Sequence, residues 1–451
     1  MRTFGRWLVG VVLAVAVLML PALAAATEFS LGGFVALYAI WDSTQTTNNL
    51  RYINRNNDPT FQHGRLKMSA ERLRMNFTIK GPKLWGAKTS GFIEIDFDNG
   101  GQQQAGWASP HKARPRLRHA MFRLNWPETE LLMGQYWSLL SEDPTEAARP
   151  GTSGIPGILW YREPQIRLSH KFFGVCNAAV SIANPGCGPD SINSPADQVA
   201  VGNTYVGESS ETPRVNARIR YEQDLWGKAA SFGKPRGFSA RVAAGWQRSR
   251  YRAYAANGVT FGPNGLVAVA LAQQSQQYLN LWAVDTSLFI PILTTSTPNL
   301  AHTMSLLTHW YIGQGMDVLK ENTQNNSSYL IFNNVVGGVR MGVRQEAQQF
   351  GGLVQLQYYL TNQWYVNFIA GMQHVYGVDR DRWMGASAGS DPARYNEHCY
   401  ATLWYRPIQA LKFAVEYGYA RTGYFQRVLR GTQSTDVGEN HEVLFVGFFF
   451  F

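Results

Sequence analysis

The feature that most constrains this chain is a two-residue alternation of apolar and polar side chains, repeated in blocks of about ten residues. In the segment ERLRMNFTIKG, residues 73, 75, 77 and 79 are apolar, whereas Arg72, Arg74 and Lys80 fall on the polar face. The segments PRVNARIRYEQ and ALKFAVEYGYAR repeat the pattern. Side chains of a β-strand alternate between its two faces, so each block predicts a strand with one apolar and one polar face.

Roughly sixteen such strands are predicted from turn signals and alternation. Their approximate spans are 29–42, 70–80, 88–98, 114–126, 129–138, 164–172, 175–183, 213–223, 237–251, 276–290, 300–312, 348–361, 364–376, 393–405, 410–421 and 441–451. Odd-numbered connections are long and even-numbered ones are mostly short, with two of middling length. This order is typical of a transmembrane antiparallel β-barrel, which has long extracellular loops and short periplasmic turns.

The membrane explains why a closed barrel fits better than other folds. In lipid every backbone N–H and C=O group must be paired internally, so only helices and closed barrels can cross. The chain after residue 26 contains no stretch of eighteen apolar residues, which leaves the barrel. The 21 Tyr and 14 Trp residues, several near strand ends, suit the interfacial girdles of such a barrel.

The N-terminal 26 residues have the three-part layout of a secretory signal peptide. Arg2 and Arg6 precede an apolar run that ends at Pro21, and small residues then offer cleavage sites. We therefore expect residues 27–451 to form one barrel domain. Without Arg2 and Arg6 the net charge of +10 becomes +8, and for an exported protein this favours anionic solutes over nucleic acid.

Cysteine and histidine patterns indicate no metal site and no cofactor. Cys176 and Cys187 could form a disulfide or remain free thiols, and no haem-attachment or zinc spacing occurs. The histidines do not fall in a G-x-S-x-G, H-x-x-x-H or H-E-x-x-H pattern, so we expect no enzyme activity. A non-conducting structural or adhesin-type barrel, or less readily an outer-membrane enzyme, stays open as an alternative.

Several blocks resemble the DcaP-like porins of the bacterial outer membrane. These blocks are LGGFVALYAIWD, TSGFIEIDF, RLRHAMFRL, LLMGQYWSLLSEDP and LWYREPQIRLSHKF, which cover about one third of the mature chain. The resemblance implies a homotrimer of sixteen-stranded barrels that passes negatively charged small molecules, including dicarboxylates. It also implies a constricting loop after the fifth strand, here residues 139–163, while three cysteines and a long connection at 313–347 depart from the family pattern.

Alternation assigns a set of charged side chains to the inside of the barrel, where they would line the pore and select solutes. The predicted basic residues are Arg72, Arg74, Lys80, Arg162, Arg167, Lys171, Arg214, Arg218, Arg220 and Arg241. Glu94, Asp96 and Glu416 are the predicted inward counter-charges. Arginine can hold a carboxylate through two parallel hydrogen bonds, so the set favours anions, and opposed acidic and basic walls would orient a dipolar solute.

The fourth strand does not fit one simple alternation. In RPRLRHAMFRL, the residues Arg114, Arg116 and Arg118 share the parity of the apolar Ala120 and Phe122. Either a β-bulge reverses the register there, or these arginines lie above the membrane or in a subunit interface. The pattern does not decide between them.

The chain ends on HEVLFVGFFFF, which we interpret as a closing strand that pairs with the strand near Phe29. A terminal aromatic preceded by alternating apolar residues resembles the signal read by the barrel assembly machinery, so Phe451 is the candidate assembly signal. Phe448 and Phe450 break the alternation, and their rings are expected to pack inward. Together these features predict a Gram-negative outer-membrane porin, embedded in lipid and lipopolysaccharide, for passive diffusion of small anions.

Overall fold

A computed structural model describes residues 28–44, 53, 56, 62–97, 115–149, 155–185, 210–254, 259–262, 265–269, 274–315, 328–336, 339–346, 348–376, 393–424 and 437–451. Every regular element in these ranges is a β-strand. None of the described residues forms a helix that is long and apolar enough to cross a membrane. Arg114, Cys187 and the expected signal peptide lie outside these ranges.

The first half of the chain contains the strands β1 (Glu28–Asp42), β2 (Arg65–Ser69), β3 (Arg74–Leu84), β4 (Ala87–Asp96), β5 (Arg116–Asn125), β6 (Thr129–Trp137), β7 (Arg162–Phe172), β8 (Cys176–Ala183), β9 (Arg214–Gln223), β10 (Ala229–Ser231) and β11 (Lys234–Arg236). The second half contains β12 (Phe238–Tyr254), β13 (Val259–Gly262), β14 (Gly265–Val269), β15 (Gln274–Leu293), β16 (Met304–Gln314), β17 (Ser328–Val336), β18 (Val339–Glu346), β19 (Gln348–Tyr359), β20 (Trp364–Tyr376), β21 (Ala393–Ile408), β22 (Leu411–Tyr424) and β23 (Val437–Phe450).

One antiparallel sheet of seventeen strands closes on itself because β23 pairs with β1. Both β2 and β3 pair with β1, so they are two pieces of one barrel strand and the barrel has sixteen strand positions. The hairpins β10–β11, β13–β14 and β17–β18 form separate two-stranded sheets. The predicted all-β, sixteen-stranded antiparallel barrel is confirmed, and most strand ends fall within a few residues of their predicted positions.

Side chains alternate between the two faces of the barrel wall, as the sequence pattern predicts. Large apolar residues on the outer face are exposed, for example Leu31 and Leu37 on β1 and Phe445 on β23. Polar and charged residues on the inner face are buried, for example Asp42 on β1 and Glu442 opposite it on β23. An apolar outside and a polar inside is the arrangement of a barrel that stands in lipid.

The barrel closes between its first and last strands, β1 and β23. The register runs from Phe34 opposite Phe450 to Asp42 opposite Glu442, which confirms the predicted pairing of the last strand with the first. Gly33 and Phe451 exchange two backbone hydrogen bonds of 3.0 and 3.2 Å. The rings of Phe34 and Phe450 lie 5.7 Å apart on the inner face.

The expected inward packing of the C-terminal rings is also present. Phe448 lies edge-on to Phe34 with ring centroids 5.4 Å apart, and it stacks with Phe450 at 5.7 Å. These rings occupy the end of the barrel at which β1 begins and β23 ends, called the termini end below. The inner aromatic cluster explains why consecutive phenylalanines close the chain, because alternate rings pack on opposite faces of one strand.

Candidate functional site

The long connection between β6 and β7 folds into the barrel, and its described residues, 138–149 and 155–161, are called the inward loop here. Its two ends are joined near the wall, since the Ser138 N–H donates to the Tyr161 carbonyl over 3.0 Å. The Tyr161 N–H in turn donates to Ser141 Oγ over 2.7 Å. The loop therefore leaves and re-enters the wall at one place, and its middle is free to reach across the lumen.

Two acidic residues attach the start of the inward loop to β9 and β12. Glu142 lies 2.6 Å from a guanidinium nitrogen of Arg218 and 2.9 Å from one of Arg220. Asp143 contacts Arg220 at 2.8 Å and Arg241 at 3.4 Å. Two carboxylates among three guanidiniums give charge-assisted hydrogen bonds, which are stronger than neutral ones, so this contact holds the loop to the wall.

The pKa values of these two carboxyl groups follow from the same contacts. Burial alone would raise the pKa of Asp143, but the charges of Arg220, Arg236 and Arg241 outweigh it and hold this pKa well below its usual range. Burial also opposes ionisation of Glu142, whereas Arg218 and Arg220 lower its pKa. Both groups are therefore ionised at neutral pH, as the ion pairs require.

Glu146 attaches the middle of the inward loop to the opposite side of the wall. Its carboxylate accepts hydrogen bonds from Tyr365 Oη at 2.7 Å and Gln357 Nε2 at 2.7 Å. Lys412 Nζ lies 2.5 Å from the same carboxylate. The backbone carbonyl of Glu146 also accepts a bond from Asn367 Nδ2 at 2.7 Å. One loop residue thus joins β19, β20 and β22.

Glu416, a predicted inward acid on β22, binds the loop backbone. Its carboxylate accepts the N–H groups of Ala148 at 2.8 Å and Arg149 at 2.9 Å. The hydroxyl of Thr402 donates to it over 2.5 Å. Glu416 therefore faces inward as predicted, but it serves as an acceptor for a buried loop and not as a counter-charge open to the lumen.

The returning part of the loop packs by apolar contact and close backbone approach. Ile155 and Ile158 join a buried cluster with Leu353 of β19. Gly157 has a φ of +91°, and a Cβ built on it would lie 2.0 Å from the carbonyl oxygen of Gly352. Glycine is required there because any side chain would collide with the wall.

Beneath this loop lie five of the predicted inward arginines, namely Arg167 on β7, Arg214, Arg218 and Arg220 on β9, and Arg241 on β12. The side chains of Arg214 and Arg241 are 0% exposed. Arg214 pairs with Glu163 at 2.7 Å, and Arg241 pairs with Asp285. Arg167 belongs to the same buried group and lies 3.8 Å from Glu142. Through these ion pairs, the buried arginines hold the inward loop and the barrel wall together.

A second group of predicted residues lies on β3 to β5 and is more open. Asp96 is paired by Arg116 through bonds of 2.9 and 2.8 Å and by Arg118 at 2.7 Å. Glu94 pairs with Arg118 at 2.6 Å and lies 3.8 Å from Arg74. The side chains of Arg74 and Arg116 are 33% and 31% exposed, in contrast to the covered arginines of β9 and β12.

A β-bulge explains the irregular alternation of the fourth predicted strand, which is β5 in the structure. Glu94 pairs with His119 whereas Ile95 pairs with Leu117, so Arg118 is an extra residue between them. The bulge reverses the parity, and both Arg116 and Arg118 reach the inner acids while Leu117 is exposed outside. The bulge alternative is therefore confirmed for these two arginines.

The remaining predicted residues lie apart from both groups or at their edge. Arg162 lies with its guanidinium 5.0 Å from the centroid of Trp137, which Arg118 also contacts at 5.8 Å. Arg72 is not in a strand as predicted, because β2 and β3 are interrupted there, but it contacts the inward Tyr38 ring at 5.9 Å. Lys80 pairs with Glu28 at the termini end, 3.0 Å away, and Lys171 is exposed at the end of β7.

The pairing of β1 with β23 is called the seam here, and the inner wall near it is acidic. Asp42 and Glu442 are opposed across the pairing of β1 with β23, and Glu416 lies on the neighbouring strand. Arg65 pairs with Asp42 at 2.7 Å, and Arg149 of the loop approaches Glu442 at 3.7 Å. In the described part of the chain, no group of three or more His, Cys, Asp or Glu residues is placed to hold a metal ion.

Sequence reasoning missed the residues that anchor the loop, namely Glu142, Asp143, Glu146 and Arg236. Loop residues follow no alternation, so parity cannot assign them to the lumen. The available signal was the density of acids in SEDPTE, directly after a strand and opposite a basic wall.

No family model and no curated protein sequence matches this chain. Among solved structures, the outer membrane channel DcaP of Acinetobacter baumannii is similar in fold, with a TM-score of 0.62 and 16% sequence identity over 95% of this chain and 98% of that chain. OprB of Pseudomonas putida matches at a TM-score of 0.48 and 12% identity, over 94% of each chain. The similarity to DcaP confirms the predicted transmembrane β-barrel fold.

Proposed function

We propose that this chain is a Gram-negative outer-membrane porin through which small hydrophilic solutes diffuse passively. The observation that carries the proposal is a closed sixteen-stranded barrel with an apolar outer face, a charged inner face and a loop folded inward. A barrel of this strand number is wide enough to enclose an aqueous channel. An inward loop narrows such a channel and brings solutes within reach of the charged walls.

The proposed preference is for anions, with dicarboxylates as the narrower expectation. The open basic wall, on β3 to β5 with Arg162 beside it, contains four guanidiniums, Arg74, Arg116, Arg118 and Arg162, and two carboxylates, Glu94 and Asp96. This leaves two positive charges in excess. Arg74 and Arg116, which are 33% and 31% exposed, present this charge to water, whereas Arg118, Glu94 and Asp96 are buried. Such a wall raises the local concentration of anions, and partial exposure keeps their binding weak enough for release.

The acidic wall near the seam would complete a transverse field. It combines Asp42, Glu146, Glu416 and Glu442 with the cations Arg65, Arg149 and Lys412, so one negative charge is in excess. All four acids are buried, so they would act on the solute through the field and not by contact. A dipolar solute that passes between the two walls would be held with its negative end toward β3 to β5. Orientation of this kind favours narrow solutes with a carboxylate at one or both ends.

Assembly and processing form part of the same proposal. Residues 1–26 would direct export and be removed, and residues 27–451 would form one barrel domain that acts as a homotrimer in lipid and lipopolysaccharide. Phe451 would be read by the barrel assembly machinery. The proposed role is diffusion and not catalysis, and it uses no cofactor.

Liposome swelling tests the proposal. The protein is reconstituted, and swelling is compared in isotonic neutral sugar, in a dicarboxylate salt and in a salt of a small organic cation of similar size. We expect swelling with the sugar and faster swelling with the dicarboxylate than with the cation. No swelling above that of empty liposomes would indicate a structural or adhesin-type barrel and would overturn the porin proposal.

A further inference from the structure

The connection between β9 and β12 is more than a turn. It contains the hairpin of β10 and β11, in which Ala229 pairs with Arg236 and Ser231 with Lys234. This connection lies at the termini end of the barrel, whereas the inward loop belongs to the opposite end. The segment 228–236 is called the inner hairpin here.

The inner hairpin lies against the inside of the wall. Ser305 of β16 donates its Oγ hydrogen to the Ala230 carbonyl over 3.0 Å. Ser305 shares a face of β16 with His309, whose Nε2 lies 2.7 Å from the Asp143 carbonyl inside the barrel, whereas Trp310 of the other face is exposed. A Cβ built on Gly233 at the tip would lie 3.2 Å from an Arg406 nitrogen, so the hairpin reaches across to β21.

The hairpin and the inward loop touch inside the lumen. Arg236 donates from Nη2 to Asp143 Oδ1 over 2.8 Å and to Ser239 Oγ over 3.1 Å. Its guanidinium also lies 4.7 Å from the Phe289 ring centroid. Ala230 of the hairpin and Ala148 of the loop belong to one buried apolar cluster. Two segments that enter from opposite ends therefore meet at an ion pair and contribute to one apolar cluster.

The contacts of Asp143 show what the hairpin adds. Arg220 and Arg241 approach this carboxylate from strands of the wall. Arg236 approaches it from the segment that precedes β12 at the termini end. One loop carboxylate is therefore held both by the wall and by the hairpin. A loop held by two separate segments is less able to shift within the lumen.

We propose that the inner hairpin is a strut and that Arg236 is a positioning residue, acting through Asp143 to set the width of the constriction. The inference rests on the proposed porin function. It assigns a solute-limiting role to a segment at the termini end, distinct from the charged side chains that would contact the solute.

Single-channel recording on Arg236→Ala tests the strut, with Lys234→Ala as the matched control because Lys234 is an exposed cation on the same hairpin. We expect a higher conductance for Arg236→Ala, no change for Lys234→Ala and recovery toward the unmodified value for Arg236→Lys. In an Asp143→Asn background, Arg236→Ala should add nothing further. Equal conductance of the two alanine variants, or a full effect in that background, would overturn the inference.

A second readout does not depend on conduction. Thr145 of the loop is 2% exposed, so Thr145→Cys, in a chain whose three native cysteines are replaced by serine, should react slowly with a small thiol reagent. We expect Arg236→Ala to accelerate labelling and Lys234→Ala to leave the rate unchanged. Equal labelling rates would contradict the strut. If the unmodified protein did not conduct, the porin proposal would be overturned. The labelling rates would still decide whether the inner hairpin supports the inward loop.

Discussion

Arg220 and Asp143 form a two-bond ion pair, with Nη1 3.0 Å from Oδ1 and Nη2 2.8 Å from Oδ2, across 77 residues of chain. This pair joins a loop to a barrel strand inside the lumen. Planar, bidentate pairs are specific in geometry as well as in charge. The inward loop is therefore an ordered part of the barrel interior whose position depends on ionised carboxylates.

The channel conductance should depend on acid through the carboxyl groups of Glu142 and Asp143. The folded pKa values of Glu142 and Asp143 are lowered, so their stabilisation is complete above the unfolded values of roughly 4 and is lost as pH falls through the lower folded values. We expect the channel conductance to stay constant from neutral pH to about pH 5 and to rise only below about pH 4, where the inward loop loses its ion pairs with the wall. Conductance measured across this range checks it.

The control for the acid prediction is the pair of substitutions Glu142→Gln and Asp143→Asn. With no carboxylate left to titrate, the acid-dependent step should be absent and the high-conductance form should persist at neutral pH. A step that remains in this variant would place the titrating group elsewhere.

The second prediction separates selectivity from stability on β3. Arg74 is 33% exposed and only 3.8 Å from its nearest acid oxygen, so Arg74→Gln should cost roughly 0–1 kcal/mol in the free energy of unfolding. It should nevertheless shift the reversal potential in a salt gradient toward cations. Lys80→Gln, at the termini end beside Glu28, is the control and should shift it little. An unchanged reversal potential for Arg74→Gln would argue against the open basic wall.

The third prediction concerns a covered arginine. Arg241 pairs with Asp285, and both side chains are 0% exposed. Arg241→Gln leaves that carboxylate buried without its charge partner and should lower the free energy of unfolding by about 3–5 kcal/mol. Urea unfolding of the reconstituted barrel measures it. Arg248→Gln on the exposed face of β12 loses only a contact with the Tyr278 ring at 4.0 Å and should change it by at most about 1 kcal/mol. Similar losses in both variants would contradict the anchoring role.

The fourth prediction concerns assembly. The Phe451 side chain is 47% exposed, while its backbone closes the seam with Gly33. Phe451→Ala keeps the backbone pair, so the refolded barrel should lose little stability, yet less protein should reach the outer membrane in cells. Deletion of Phe451 removes both hydrogen bonds and should be worse in both assays. A normal amount of Phe451→Ala in the outer membrane would show that the assembly machinery does not recognise the Phe451 ring.

The number of strands, the closure of the barrel and the face on which most side chains lie were predictable. Alternation and turn spacing are local signals, and a wall with one apolar and one polar face imposes them on every strand. The interruption between β2 and β3 and the bulge at Arg118 were harder, since each shifts parity by a local backbone change. Parity placed Arg214 and Arg241 correctly on the inner face. It could not show that a loop covers them, because burial inside a lumen depends on a segment without periodicity.

Planar-bilayer recording of the purified protein under a potassium chloride gradient tests the proposed channel most directly. An anion-preferring porin should give discrete current steps and a reversal potential of the sign set by chloride permeation. Steps with a cation-selective reversal potential would contradict the basic wall, and a complete absence of steps would contradict the channel itself.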